Sequence, residues 1–261
     1  MTSLSATQRV DTSDLEQKVK SMYRSVALAP KGEFHFEMGR ALAERLGYPR
    51  AQLDAIPAEA IDSFAGVGYY FDLAALQRGE RVVDLGSGSG MDSFVAALEV
   101  GTAGSVTGLD MTDGQLAKAE RLRSAAGVRQ IAYRKAYIEA TGLAAGSFDA
   151  VISNGVINLA ADKAAVFREA ARLLRPGGRM ALADIVTEVQ LPESITCDAT
   201  LWAACIGGAM QVEKYLASVE SAGLKVARTK DNSEYRFISN SAQGATRKFG
   251  VKSISLVAYK N

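Results

Sequence analysis

Glycines recur at every second position in one short stretch of the chain, which runs Asp-Leu-Gly-Ser-Gly-Ser-Gly from Asp84. The β-branched, apolar run before it predicts a buried strand at Arg81–Leu85, and the apolar spacing after it predicts a helix at Met91–Val100. Glycines at such a turn omit Cβ atoms where a ligand must approach the backbone closely. The first turn of the helix also presents N–H groups that lack helical partners. The predicted ligand-binding residues of this turn are Asp84, Gly86, Ser87, Gly88 and Gly90.

An acid stands at the end of the next predicted strand, where Asp110 follows Ser105–Leu109. A carboxylate in this position can accept hydrogen bonds from the two hydroxyls of a ribose, so a nucleoside ligand is expected. Dinucleotide-binding turns have the spacing G-x-G-x-x-G/A, whereas the third residue after Gly88 is Met91. The spacing therefore disfavours a nicotinamide dinucleotide, and an NAD(P)-dependent oxidoreductase stays as an alternative enzyme class.

Strands and helices alternate through the middle of the chain, which is typical of a doubly wound α/β fold with a parallel sheet. Between the last two predicted strands we find no helix of ordinary length, so the final strand is expected to be antiparallel. A capping-box pattern, Thr112 with Gln115, predicts the start of the helix after Asp110. The predicted strands are Arg81–Leu85, Ser105–Leu109, Gln130–Lys135, Ala150–Ser153, Arg179–Val186, Lys225–Thr229 and Lys252–Tyr259.

The region before the glycine turn has helical spacing. Residues 1–10 are polar and are expected to form a flexible arm, and amphipathic helices are predicted at Thr12–Leu28 and Phe34–Leu46. We interpret residues 11–78 as a helical cap over the open end of the sheet, with plain packing of helices on the domain edge as an equal alternative. Residues 79–261 are then the ligand-binding domain.

Composition restricts the function classes. The chain has 261 residues, 48% of them hydrophobic and 23% charged, with a net charge of +1. This charge gives no support for a nucleic-acid partner or an anionic membrane surface. We find no apolar stretch of membrane-spanning length and no signal-peptide core, and two cysteines do not suggest a disulfide framework. A cytoplasmic protein is expected.

The glycine turn with Asp84 and Asp110 resembles the nucleoside-binding motif of class I S-adenosylmethionine (SAM)-dependent methyltransferases. Three more stretches, Ile152–Leu159, Arg175–Arg179 and Leu201–Ala209, are similar to the arsenite methyltransferase family. The resemblance implies a Rossmann-like seven-stranded sheet with an antiparallel last strand, SAM as the cofactor, and methyl transfer to a small-molecule acceptor. A catalytically silent SAM-binding protein is the remaining alternative.

The resemblance also implies roles for individual residues. The turn glycines would contact the methionine part of SAM, Asp110 the ribose and Met111 the adenine face. Ile138 and Glu139 would meet the adenine edge, and Asn154 would lie near the sulfonium and the acceptor.

The chain departs from the arsenite methyltransferases at their arsenic ligands. That family holds trivalent arsenic with three cysteine thiolates, a soft site for a soft element. Cys205 matches one of them, whereas the other two positions correspond to Val67 and Gly155. Cys197 is best interpreted as a buried structural cysteine. We therefore expect free arsenite to be a poor substrate and predict no metal site.

Three aromatic or titratable residues are further candidates for the acceptor chemistry. His35 is the only histidine and a possible base, although a packed histidine between two phenylalanines is favoured. Tyr69 and Tyr70 are predicted to line the acceptor pocket with Cys205, and core packing is the alternative for both tyrosines. The catalytic candidates are Asn154, His35 and Tyr70.

Overall fold

The computed structural model of the protein describes residues 11–196, 202 and 206–261, which form one mixed sheet flanked by helices. The strands are β1 Arg81–Leu85, β2 Ser105–Asp110, β3 Ile131–Lys135, β4 Phe148–Asn154, β5 Leu174–Thr187, β6 Met210–Gln211, β7 Leu224–Asp231 and β8 Lys252–Lys260. Their order is β3-β2-β1-β4-β5-β8-β7, and β6 pairs with β5. Strands β1 to β5 pair in parallel, and β8 is antiparallel to β5 and β7. The predicted fold is confirmed, with β6 as an eighth, two-residue strand.

Along the chain, the helices come mainly before the first strand and between the strands. They are α1 Thr12–Leu28, α2 Arg40–Leu46, α3 Arg50–Asp54, α4 Ala58–Asp62, α5 Phe71–Ala74, α6 Met91–Val100, α7 Asp113–Ala125, α8 Lys163–Leu173, α9 Glu193–Thr196, α10 Val212–Ser221 and α11 Asn240–Phe249, with a 3₁₀ turn at Ile157–Leu159. Helix α1 begins at its predicted residue because the Asp11 carboxylate accepts hydrogen bonds from the N–H groups of Ser13 and Asp14.

Neighbouring side chains of the central strand belong to two different cores. Successive residues of a strand point to opposite faces. Val82 therefore belongs to the core that includes residues of α1 to α6, whereas Val83 belongs to the core that includes residues of α8 and α10. Burial on both faces explains why the apolar residues of β1 are consecutive at Val82 and Val83 rather than alternating.

The helix predicted at Phe34–Leu46 is wrong in its first half. Helix α2 begins at Arg40, because Gly39 has a φ of +87°, which a right-handed helix does not allow. The aromatic residues before it are not helical and pack on one another, with Phe34 and Phe36 rings 5.7 Å apart.

The prediction of no helix between the last two strands is also wrong. Helix α11 stands there, and the Ser239 side chain caps it by accepting from the N–H of Ala242. Its buried residues include the small Ala242 and Ala245, which give a weak apolar signal. Strand β8 is nevertheless antiparallel, as predicted.

Within the described ranges, we find no helix long and apolar enough to cross a bilayer. Residues 1–10, predicted as a flexible arm, and both Cys197 and Cys205 lie outside the described residues.

Candidate active site

A cavity of about 250 Å³ lies at the carboxyl ends of β1, β2 and β4. The order of the strands reverses between β1 and β4, and such a switch point is the usual ligand site of an open α/β sheet. Helix α1 lines one side with Leu15 and Val19, and Phe64 to Gly66 line another. Sheet, glycine turn and N-terminal helices thus enclose the cavity together.

Most of the residues predicted to bind a cofactor line this cavity. Gly90 is the exception and does not line the cavity. It lies against Tyr133 of β3, whose hydroxyl a Cβ at position 90 would meet. Its φ of +94° and its packing against β3 explain the glycine instead. The residues at the cavity are Asp84, Gly86, Ser87, Gly88, Asp110, Met111, Ile138, Glu139 and Asn154.

Asp110 joins the end of β2 to the glycine turn. Its carboxylate accepts a hydrogen bond from the N–H of Gly88 at 3.0 Å and another from the N–H of Thr112 at 2.8 Å. Thr112 stands at the N-cap position of α7, but its side chain makes no capping bond. The predicted capping box is therefore wrong, because Gln115 is directed into the cavity wall.

Three carboxyl groups line the cavity, Asp84 and Asp92 buried and Asp110 partly exposed, and the pKa of each is raised. Burial raises the pKa of Asp84 to about 8, with a further contribution from the charge of Asp92. Burial also raises the pKa of Asp92 and of Asp110, although hydrogen bonds to both carboxylates oppose the shift. A desolvated group of acids favours a ligand that brings positive charge.

Asp92 connects the cavity to two tyrosines, and we did not predict it as a site residue. Its carboxylate accepts hydrogen bonds from the Tyr48 hydroxyl at 2.6 Å, the Tyr70 hydroxyl at 2.9 Å and the Asn154 amide at 3.0 Å. A carboxylate in the apolar segment Met91–Val100 was the signal available in the sequence. Three donors hold this carboxylate in one orientation beside the glycine turn.

Asn154 holds the chain segment before α5. Its side-chain oxygen accepts from the N–H of Val67 at 2.8 Å, and its amide nitrogen donates to the carbonyl of Gly68 at 3.0 Å. Because Ala65 and Gly66 line the cavity, Asn154 positions the wall that they form.

The other acceptor candidates among the described residues, Tyr69, Tyr70 and His35, do not line the cavity. Tyr70 is fully buried beneath Asp92, and Tyr69 packs edge-on against the Tyr48 ring at 4.9 Å. His35 lies in a separate small cavity, where its ring contacts Phe36 edge-on at 4.7 Å. Tyr69, Tyr70 and His35 thus make the aromatic and core packing contacts that were the alternative to a role at the acceptor.

Val67 and Gly155, the positions at which the arsenic-binding family has cysteines, are adjacent. A Cβ at Gly155 would lie 3.1 Å from Val67 Cγ1. Val67 is buried, and Gly155 has a φ of +71°. A valine side chain beside a glycine therefore stands where the resemblance implies two thiols.

A family model described as a methyltransferase domain matches residues 76–223, more than half of the chain. The chain belongs to that methyltransferase family. It is 38% identical over 200 residues to an arsenite methyltransferase of Halobacterium salinarum, covering 76% of this chain and 51% of that protein. The human arsenite methyltransferase is 41% identical over 138 residues, covering 49% of this chain and 37% of that protein.

A solved structure extends the similarity. An arsenic(III) S-adenosylmethionine methyltransferase from Chlamydomonas reinhardtii matches with a TM-score of 0.67 and 31% identity, covering 85% of this chain and 74% of that chain. The chain spans about half the length of the Halobacterium salinarum protein and little more than a third of the human one. The expected class I SAM-dependent family and its resemblance to arsenite methyltransferases are confirmed, whereas nothing supports an oxidoreductase.

Proposed function

We propose that this methyltransferase transfers a methyl group from SAM to a small-molecule acceptor bound beside Asn154. The observation that carries the proposal is the group of desolvated carboxyls at the glycine turn, Asp84, Asp92 and Asp110. SAM supplies a methyl group on a positively charged sulfur and a positively charged amino group. Acids that are held out of water by folding gain most from such a ligand.

The residues around the cavity fit the other parts of SAM. Asp110 is oriented by two backbone N–H groups and can accept hydrogen bonds from ribose hydroxyls. The Ser87 hydroxyl is buried at the cavity and has no hydrogen-bond partner within the described part of the chain, so it is available to a ligand. Met111 and Ile138 offer apolar contacts to an adenine ring.

Methyl transfer from a sulfonium is an in-line displacement, so the protein mainly aligns the acceptor and excludes water. Leu15, Val19 and Phe64 supply an apolar wall. Asn154 positions the backbone of residues 67 and 68 beside this wall. We assign residues 11–78 the role of a cap, because they provide this wall.

The acceptor we favour reacts through a lone pair on sulfur, nitrogen or a thiol-bound or organic arsenical. None of the described residues that line the cavity is a histidine or a lysine, and we assign its desolvated carboxyls, Asp84, Asp92 and Asp110, to the cofactor rather than to a general base. An acceptor with an available lone pair needs little help from a base. Free arsenite is disfavoured because Val67 and Gly155 supply no thiolate where two would be needed.

The proposal is tested by binding and by product formation. Calorimetry with SAM should give a measurable affinity for the wild type, and Asp110→Ala should weaken it by about 1.5–3 kcal/mol, the usual value of hydrogen bonds to a charged group. Asp113→Ala is the matched control, since this neighbouring acid is exposed and pairs with Lys135 at the surface. A panel of thiols, amines and arsenicals is then screened for S-adenosylhomocysteine production. Absence of SAM binding by the wild type, or equal loss in both variants, would refute the proposal.

A further inference from the structure

Gln115 occupies an unusual place between two elements of the cavity. Its side chain is 2% exposed and lines the cavity. The side-chain oxygen accepts a hydrogen bond from the Ser89 hydroxyl at 2.5 Å, and the amide nitrogen donates to the backbone carbonyl of Tyr23 at 2.9 Å. One buried amide therefore bonds to the glycine turn at one end and to helix α1 at the other.

Both bonds of Gln115 lead to groups at the cavity. Ser89 follows Gly88, whose N–H is bonded to Asp110. Tyr23 belongs to the helix that lines the opposite side of the cavity. Because a buried amide is costly to leave without partners, a shift of either element disturbs the bond to the other.

We propose that Gln115 is a positioning residue that couples cofactor binding at the glycine turn to the docking of α1 over the cavity. This inference rests on the proposed function, since it takes SAM or its product as the ligand. Coupling of this kind is reciprocal: a ligand that orders the turn strengthens the docking of α1, and docked α1 strengthens ligand binding.

Other contacts hold α1 without touching the turn, and they supply a matched control. Lys118, also on α7, donates to the Ser63 hydroxyl at 2.7 Å and to the carbonyl of Ala27 at 3.3 Å. Towards the other end of α1, the Tyr137 hydroxyl donates to Glu16 at 2.6 Å. Loss of the Lys118 contacts should loosen α1 without changing its response to ligand.

The experiment measures hydrogen exchange of the α1 amides in the full chain, with and without saturating S-adenosylhomocysteine, whose binding is followed separately by calorimetry. For the wild type we expect the ligand to slow exchange about tenfold, within the usual range of coupling between sites. Gln115→Leu removes both bonds. Gln115→Glu keeps an acceptor for Ser89 but sets a carboxylate against the Tyr23 carbonyl.

Both Gln115 variants should reduce the ligand-dependent slowing to about twofold or less, whereas Lys118→Met should keep it near tenfold. Gln115→Glu keeps the test decisive if Gln115→Leu fails to fold. If the wild type binds the ligand but α1 exchange does not respond, or if both Gln115 variants respond like the wild type, the coupling is refuted. Failure of the wild type to bind the ligand overturns the proposed function and this inference with it.

Discussion

The adjacency of Val67 and Gly155 makes the acceptor preference testable by restoring two thiols. In the double variant Val67→Cys/Gly155→Cys, the new sulfur at position 67 takes the place of a Val67 γ-carbon, and a Cβ at 155 lies 3.1 Å from Cγ1. The two thiols would therefore be close enough to share one arsenic atom. With Cys205, which matches the third family position, the chain would again carry the family's three cysteines.

The cost to folding can be worked from the same geometry. Gly155 has a φ of +71°, and a residue with a Cβ in the left-handed region costs about 1–2 kcal/mol. Replacing buried Val67 by the smaller cysteine should cost about 0.5–1.5 kcal/mol. The sum, about 1.5–3.5 kcal/mol, is below the stability of an ordinary domain, so the variant should fold.

The assay is arsenite binding under reducing conditions by equilibrium dialysis, together with detection of methylated arsenic in the presence of SAM. We expect the double variant to bind arsenite more tightly than either single variant, because each additional As–S bond replaces a weaker oxygen contact. Val67→Ser/Gly155→Ser is the matched control, since it has similar volumes and no thiols. Efficient turnover of arsenite by the wild type, or no gain in the folded double variant, would refute this account of specificity.

Buried polar groups near the cavity permit three further predictions. Tyr48→Phe should lower the free energy of unfolding by about 1.5–3 kcal/mol in urea, because it removes a hydrogen bond to the Asp92 carboxylate. Burial raises the pKa of Asp84 from 3.8 to about 8, so the folded protein holds a proton that the unfolded chain releases. Its contribution to stability is therefore complete below about pH 4 and is lost as the pH rises through 8. Urea unfolding across this range should show a smaller decline in Asp84→Asn. Gly90→Ala should lower the melting temperature, because its Cβ meets the Tyr133 hydroxyl, and Tyr133→Phe in the same chain should recover part of the loss.

Each of these has an outcome that would contradict it. An unchanged unfolding free energy in Tyr48→Phe would show that the Asp92 bond is not formed in solution. A pH profile of Asp84→Asn that superimposes on the wild type would remove Asp84 as the titrating group. If Tyr133→Phe brings no recovery to Gly90→Ala, then the positive φ alone accounts for the glycine.

The glycine-turn side of the cavity could be predicted from the sequence because its signals are local. Asp84, the turn glycines and Asp110 each stand at the end of a strand that its own residues specify. Parallel pairing then brings these ends together, as between Asp84 and Gly108 of β2. The helix α11 and the first half of Phe34–Leu46 were mispredicted because small residues and one left-handed glycine outweigh apolar spacing.

The polar contacts around Asp92 and Asn154 could not be derived in this way, because they join distant parts of the chain. Tyr48 meets Asp92 across 44 positions, and Asn154 meets Val67 across 87. Only packing decides that Tyr70 is buried beneath Asp92. The same packing gives Gln115 a bond across 92 positions to α1 in place of a local cap. Local sequence thus specified the glycine turn and the place of Asp110 through backbone geometry, whereas tertiary contacts alone decided which polar side chains reach the cavity.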